Sequence, residues 1–352
     1  MNGKSDKRKA INFSREHHID WLRTLSILSL IPFHVFAYHA QTRFALKTGT
    51  VDPLINYLYY FLEQWRLCLL FFISGYCSVI YLKKYSPQKY IKNKVKRILV
   101  PLFLGSIIII PPQVYLEKIR FGLFQGSFID FIPHIFSGIY PQGNSSWGHL
   151  WFLFYLFVYM FVFFSFYQQI LKIKFRLVFL LFPLLIEVFM RPYSPSFPNF
   201  ITDYANVLVF GFYFYLGLKY KETRLDILTN KFSKELILIL SFLLIMTPLL
   251  YEMSYYDSFK GLRTLLIVLI LPVVTKKSLS FNNRFLEYFK LRNYAIYIIH
   301  HTVIIIIAER FLNLNPYIFA ILVTLTSLIA TLITVEIFKS FKPTRYIIGM
   351  QK

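Results

Sequence analysis

Long apolar runs separated by short polar connections dominate the chain. A spanning helix needs about 20 mostly apolar residues, and in lipid only helices and closed barrels satisfy the backbone polar groups. The runs are continuous rather than alternating, which excludes a barrel. They lie near 19–39, 54–82, 98–117, 149–170, 175–190, 201–219, 235–250, 262–275, 292–309 and 316–338. The pattern therefore predicts an all-α polytopic membrane protein with about ten transmembrane helices, the fifth of which is short.

Positive charge alternates between successive connections. Lys and Arg are concentrated in the two tails and in connections 83–97, 172–176, 219–234 and 276–292. The intervening connections are poorer in them: 40–53, 118–148, 191–200, 251–261 and 310–315. The positive-inside rule then predicts that both ends are cytoplasmic. We expect a basic cytoplasmic tail over 1–18, a transmembrane domain over 19–341 and a second cytoplasmic tail over 342–352, in the cytoplasmic membrane.

Composition agrees with a membrane protein, because 56% of the residues are hydrophobic and only 16% are charged. The net charge of +22 first suggests nucleic acid or anionic lipid as a partner. The basic residues lie in short runs between apolar segments, which excludes nucleic acid and leaves the lipid bilayer. Cys68 and Cys77 are nine residues apart on one predicted helix, roughly 13 Å, too far for a disulfide.

The first apolar run carries an arginine and a histidine at helical spacing. Arg23 and His34 are eleven residues apart, three turns plus about 20°, so they share a helix face with an axial separation of roughly 16.5 Å. Ionisable groups within a membrane are costly and are functional candidates. The alternative is that Arg23 extends to the interface and His34 bonds a neighbouring helix.

Several ionisable residues are predicted at similar depth in the outer half of the membrane. They are His34, Glu63, Arg66, His149 and Glu187. Such a set predicts a polar cavity that opens outward, although ion pairs that hold helices together are an alternative. Near the inner surface, Lys94 and Arg97 are one turn apart at the level of Arg23. They are candidates to hold a phosphate or to orient the helix.

Motifs of soluble enzymes are missing from the sequence, which has no GxSxG, P-loop, HExxH or CxxC. The adjacent histidine pairs 17–18 and 300–301 do not share a helix face and make poor metal sites. We therefore predict no bound metal and no permanently bound cofactor.

Five features in order resemble the acyltransferase-3 family of membrane acyltransferases. They are the Arg23–His34 spacing, FFISGY after Arg66, the basic run ending at Pro101, GHLWFL opening the fourth span and IYIIHH in the ninth. The resemblance covers about 17–310. WRLCLLFFISGY and PPQVYLE are most similar to its glucan biosynthesis protein C branch, which is associated with succinylating periplasmic glucans. Lys94 stands where the family usually has arginine, and Cys68 where that branch has proline.

The resemblance implies a cytoplasmic acyl-CoA donor and a hydroxyl acceptor on an extracytoplasmic glycan. His34 matches the essential histidine of the family and Arg23 its partner arginine, while Lys94 and Arg97 fall on a basic motif. Acyl-CoA phosphates would then lie near Arg23, Lys94 and Arg97, with His34 as general base.

Depth alone suggests the remaining roles. Glu63 or Glu187 would orient the imidazole, and Arg66 would stabilise the oxyanion. His149, Trp147 and His300 are the candidate acceptor contacts. Two other functions are compatible with the same residues: a glycan or lipid-linked sugar transporter that uses no acyl-CoA, and an acetyltransferase for another polysaccharide.

Overall fold

The computed structural model describes residues 16–42, 46–84, 87–174, 176–194, 203–223 and 256–350, with a few positions between 231 and 242. Over these residues the regular structure is helical, and strand pairing is limited to one isolated bridge between Ile139 and Ser145. The predicted all-α class is confirmed.

The α-helices of this part of the chain vary widely in length, and several are joined by short 3₁₀ or π turns. In chain order they are α1 (His17–Leu28), α2 (Leu30–Phe36), α3 (Pro53–Lys84), α4 (Pro87–Lys94), α5 (Val100–Ile108), α6 (Pro111–Arg120), α7 (Phe128–Phe131), α8 (Trp151–Ser165), α9 (Tyr167–Lys172), α10 (Phe182–Phe189), α11 (Tyr204–Thr223), α12 (Tyr256–Ser278), α13 (Arg284–Lys290), α14 (Asn293–Ala308), α15 (Pro316–Ser340) and α16 (Lys342–Ile347).

Five helical segments of the described chain are long and apolar enough to cross a bilayer. They are His17–His39, Pro53–Tyr81, Gln88–Arg120, Gly148–Ser165 and Pro316–Ser340. The pair α13 and α14 adds a sixth if it is counted as one span bent by 71°. These segments coincide with six of the ten predicted spans and support an integral membrane protein.

The other four predicted spans differ from one another in outcome. The fifth appears as the short apolar helix Val178–Phe189. The sixth and eighth fall in α11 and α12, which are long helices that do not reach the same criterion over their described residues. In α11 the cause is its tyrosines and terminal lysines, which lower its mean hydropathy. The seventh, 235–250, lies almost wholly outside the described residues. Ten spans and two cytoplasmic ends therefore stay predictions.

The first span is interrupted between α1 and α2. Pro32 has no N–H to donate to the carbonyl of Leu28, the residue at which α1 ends, and a proline ring also crowds the carbonyl four residues earlier. The chain resumes as α2, and the last turn of α2 carries His34. The local sequence thus separates Arg23, on α1, from His34, on a second short helix.

Helix α3 packs closely along α11 because each contributes a glycine at the contact. A Cβ at Gly75 would collide with the carbonyl oxygen of Phe214, and a Cβ at Gly217 would collide with that of Phe72. Small residues allow two helix backbones to approach in a membrane. This contact fixes α3, which carries Glu63 and Arg66 toward one end and Cys77 toward the other.

Helix α14 is the most enclosed element near the first span. It packs against α15, α2 and α6, and its His300 and His301 are both buried. The chain after α15 does not extend as a free tail, because α16 packs on α5 and buries Ile347 and Ile348. Residues 1–15 of the predicted N-terminal tail lie outside the described residues.

Candidate active site

Four histidines from three separate elements meet beside α2, and we call them the histidine cluster: His34, His149, His300 and His301. The His34 ring centroid lies 4.1 Å from that of His301 and 5.2 Å from that of His300. The His149 ring lies 5.2 Å from His300 and 5.1 Å from His301. Three of the four were candidates from sequence, and the structure brings them together.

His301 was not predicted as a site residue. Consecutive residues on a helix point about 100° apart, so the pair at 300 and 301 was set aside as unable to act together. Both rings nevertheless contact His34, because α2 supplies the third ring from outside α14. The adjacent pair of histidines in an apolar run was the available signal.

His149 is placed by a tight turn rather than by a long helix. It belongs to the 3₁₀ turn Gly148–Leu150 before α8. Gly148 has φ of 46°, and a Cβ there would lie 2.8 Å from the side chain of Ile110. The hydroxyl of Tyr297 donates to the carbonyl of His149 at 2.6 Å, which ties this turn to α14.

Gln113, on α6, is a buried polar residue at the centre of the cluster. Its side-chain amide lies 3.3 Å from Nδ1 of His149 and 3.2 Å from Nδ1 of His301. Its Nε2 also donates to Thr302 at 2.5 Å. Sequence reasoning missed Gln113, although it stands inside the PPQVYLE segment that carried the resemblance.

His300 and His34 differ in how their rings are held. Nδ1 of His300 donates to the carbonyl of Tyr297 at 2.7 Å, and its buried Nε2 has no hydrogen-bond partner among the described residues. No hydrogen bond within that part of the chain fixes the ring of half-buried His34. The imidazole that the sequence singled out is therefore held by ring packing and not by a hydrogen bond from the described residues.

Arg66 lies next to the histidine cluster and is only 4% exposed. Its guanidinium sits 3.0 Å from the ring centroid of Phe33, the residue before His34. Nε and Nη1 of Arg66 have no hydrogen-bond partner among the described residues. Glu63, one turn away on α3, faces Lys260 at 3.6 Å. The guanidinium thus presents unsatisfied donors, the chemistry that binds an oxyanion.

Glu187 lies in a different group, which we call the carboxylate cluster: Glu187, Arg191 and Asp203. Both Glu187 oxygens accept from Arg191 at 2.8 Å. Arg191 also bonds Asn206 at 2.9 Å and lies 3.9 Å from Asp203. The contacts of Glu187 are with Arg191 rather than with an imidazole, so the structure does not bring it to His34.

The three basic candidates form a group that we call the basic cluster: Arg23, Lys94 and Arg97. Nη2 of Arg23 lies 2.9 Å from Sγ of Cys77. Lys94 sits over the rings of Tyr81 and Tyr90, at 4.7 and 5.3 Å, and within electrostatic range of both arginines. The structure therefore groups Lys94 with both arginines, and their contacts within the described residues do not include the histidines.

Trp147 lies just before the turn that holds His149, and its ring packs 5.2 Å from that of Phe154.

Within the described residues, no group of three or more His, Cys, Asp or Glu side chains is arranged to hold a metal ion.

Comparison with known proteins assigns the chain to a family. The acyltransferase domain of the acyltransferase-3 family matches residues 16–335. Glucans biosynthesis protein C of Escherichia coli (strain SMS-3-5 / SECEC) is 25% identical over 143 residues, 40% of this chain and 35% of that protein. The protein of the same name from Shigella boydii serotype 4 (strain Sb227) is 24% identical over 143 residues.

The aligned stretch spans about a third of the length of these relatives, 35% in each case. No solved structure matches this chain. The family match covers the six candidate spans except for the last residues of α15. It also includes the histidine, basic and carboxylate clusters. The chain therefore belongs to the acyltransferase-3 family of membrane acyltransferases.

Proposed function

We propose that the chain transfers an acyl group from cytoplasmic acyl-CoA to a hydroxyl of an extracytoplasmic glycan, and that it works in the cytoplasmic membrane. The observation that carries the proposal is the separation of two polar sites along one span. The basic cluster lies beside α1 and the histidine cluster beside α2. The name of the relatives supports a glucan as the acceptor.

The basic cluster suits the donor. Lys94 lies within electrostatic range of both arginines, and the carboxylate that acts on Arg23 is Asp20. Such a concentration of positive charge attracts an anion, and CoA carries several phosphates. Arg23 and His34 lie eleven residues apart across the break between α1 and α2. An uninterrupted helix of that length measures about 16.5 Å, comparable to an extended pantetheine arm. Phosphates held at Arg23, Lys94 and Arg97 would therefore place the thioester near His34.

The histidine cluster suits the acceptor. A hydroxyl is a poor nucleophile at neutral pH, so a base must take its proton as it attacks. His34 removes this proton, the sugar oxygen bonds to the thioester carbonyl carbon, and the carbonyl oxygen becomes an oxyanion. The carbon–sulfur bond then breaks, and the sulfur leaves as the thiol of CoA with the proton that His34 held. Ester and free CoA are the products.

The neighbours of His34 have separate roles in this scheme. Arg66 stabilises the oxyanion, because a cation aimed at developing charge lowers the barrier. His149, Trp147 and His300 line the acceptor side. The negative charge of Glu63, one turn away on α3, stabilises the positive charge of Arg66. Glu187, held by Arg191, has no part in the chemistry and instead supports the fold.

Labelled acyl-CoA supplied to inside-out vesicles tests the proposal. We expect label on an extracytoplasmic glycan, lost in His34→Ala and kept in His39→Ala. His39 is the matched control, since it lies in the same span and bonds Thr48 and Thr50 instead of the cluster. Movement of glycan across the membrane with no acyl-CoA consumed would favour a transporter and contradict acyl transfer.

A further inference from the structure

A chain of hydrogen bonds joins two histidines of the cluster through Gln113. Nε2 of His149 lies 2.9 Å from the carbonyl oxygen of Ile298. Its Nδ1 lies 3.3 Å from Nε2 of Gln113, and Oε1 of Gln113 lies 3.2 Å from Nδ1 of His301. Each atom in this chain is buried or partly buried, so its proton positions are set by its protein partners rather than by bulk water.

The direction of this chain is fixed by chemistry at the Ile298 end. A carbonyl oxygen only accepts, so Nε2 of His149 carries the proton, and Nδ1 of the neutral ring is then an acceptor. Gln113 must turn its NH₂ group toward His149 and its oxygen toward His301. Nδ1 of His301 therefore donates, and Nε2 of His301 holds a lone pair.

A second carbonyl fixes the same direction independently. The hydroxyl of Thr302 donates to the carbonyl of Ile109 at 2.8 Å. Its oxygen then accepts from the NH₂ group of Gln113 at 2.5 Å. Two main-chain carbonyls, one on α14 and one in the turn between α5 and α6, thus impose one orientation on the Gln113 amide, whose two possible orientations are otherwise close in shape.

We propose that Gln113 is a positioning residue that holds His149 as the Nε2–H tautomer and His301 as the Nδ1–H tautomer. Its importance for catalysis rests on the proposed function. His300 has the same tautomer as His301, because its Nδ1 donates to Tyr297. Both rings that contact His34 then carry a lone pair on Nε2. A ring nitrogen that holds a lone pair can accept a hydrogen bond or a proton, whereas an N–H can only donate.

Nitrogen-15 NMR of histidine side chains tests the tautomers without reference to activity. The full chain, labelled with ¹⁵N-histidine, is placed in lipid nanodiscs, and resonances are assigned by replacing each histidine in turn. We expect a protonated Nε2 in His149 and a protonated Nδ1 in His301. A protonated Nε2 in wild-type His301 would overturn the proposal.

Two substitutions at position 113 separate the tautomer effect from loss of packing. Gln113→Met keeps the volume but removes the hydrogen bonds to His149, His301 and Thr302, so His301 loses its preference for Nδ1–H. The carboxylate of Gln113→Glu offers only acceptors, so His301 keeps Nδ1–H. His149 would then need a proton on both ring nitrogens, one to donate to the Ile298 carbonyl and one to donate to the new carboxylate. Identical histidine spectra for wild type and both variants would contradict the assigned role.

Kinetics complete the test. Gln113→Met should lower kcat about 10- to 100-fold, the size of effect seen when a residue that orients a metal-bound imidazole is lost, with the KM for acyl-CoA unchanged. If the tautomers change and kcat does not, Gln113 is structural only. If wild type itself shows no acyl transfer while the tautomers are as expected, the proposed function fails and the hydrogen-bond assignment stands.

Discussion

The histidine cluster and the carboxylate cluster are both buried polar groups, yet they differ in how completely they are paired. Glu187 accepts two hydrogen bonds from Arg191, and Asn206 and Asp203 occupy the rest of that guanidinium. Beside His34, in contrast, Arg66 and His300 each keep buried nitrogens without partners among the described residues.

This difference separates structural from functional polarity in a membrane protein. An ion pair that is fully satisfied holds helices together, and breaking it leaves an uncompensated charge at a cost of about 3–5 kcal/mol. Buried donors and acceptors left unsatisfied are costly in the resting protein and are retained where a substrate or transition state completes them. Substitutions in the two clusters should therefore affect different measurements.

The largest expected effect is on the activity of His34→Ala. Loss of a general base lowers turnover by about 10²–10⁴-fold, while the fold is kept because no hydrogen bond among the described residues depends on that ring. The rate of labelled-glycan formation and the free energy of unfolding in bicelles are measured on the same preparation. Wild-type turnover in a folded variant would remove His34 from the mechanism.

The carboxylate cluster should show the reverse response in Arg191→Met. This change leaves Glu187 and Asp203 as neighbouring buried carboxylates, so we expect unfolding to become easier by about 3–5 kcal/mol. Glu187→Gln is the matched variant and should cost less, since Arg191 keeps Asp203. Steric trapping gives the unfolding free energy. Activity per folded molecule should not change in either variant, and a loss confined to kcat would mean that Glu187 does serve the chemistry.

Arg66→Met sharpens the comparison because Arg66 is buried and its Nε and Nη1 have no hydrogen-bond partner among the described residues. Removing an oxyanion donor costs about 10²–10³ in kcat, whereas stability should hold or rise, since Met can still pack on Phe33 and no described hydrogen-bond acceptor of Nε or Nη1 is left behind. The Arg66→Lys variant keeps the charge and should recover part of the rate. A drop in stability like that of Arg191→Met would place Arg66 among the structural ion pairs.

Sequence reasoning located much of the candidate site because helical spacing is local. The eleven-residue interval put Arg23 and His34 on one face, and the structure groups each with other predicted residues. Sequence reasoning could not separate Glu187 from the histidine cluster. Apolar runs predict how deep a residue lies in the membrane, but not which neighbouring helix its side chain faces. His301 and Gln113 were missed for the same reason: their contacts cross between α2, α6 and α14.

The fold was predictable in class and less so in detail. Continuous apolar runs gave the helices, whereas the break near Pro32 and the 71° bend between α13 and α14 depend on local backbone geometry. The closeness of α3 and α11 could not be predicted, because it requires Gly75 and Gly217 to face each other across two helices distant in sequence.

The smallest expected effect concerns the donor side, where Lys94 stands against aromatic rings near two arginines. A hydrogen bond to a charged group contributes about 1.5–3 kcal/mol, so Lys94→Met should raise the KM for acyl-CoA roughly 10-fold or more without changing kcat. Lys94→Arg should lower that KM below wild type, because a guanidinium binds phosphate in a bidentate manner and an ammonium does not. Equal KM values for the Arg and Met variants would show that Lys94 orients its helix and does not bind the donor. In that case the basic cluster, like the carboxylate cluster, would belong to the fold rather than to the reaction.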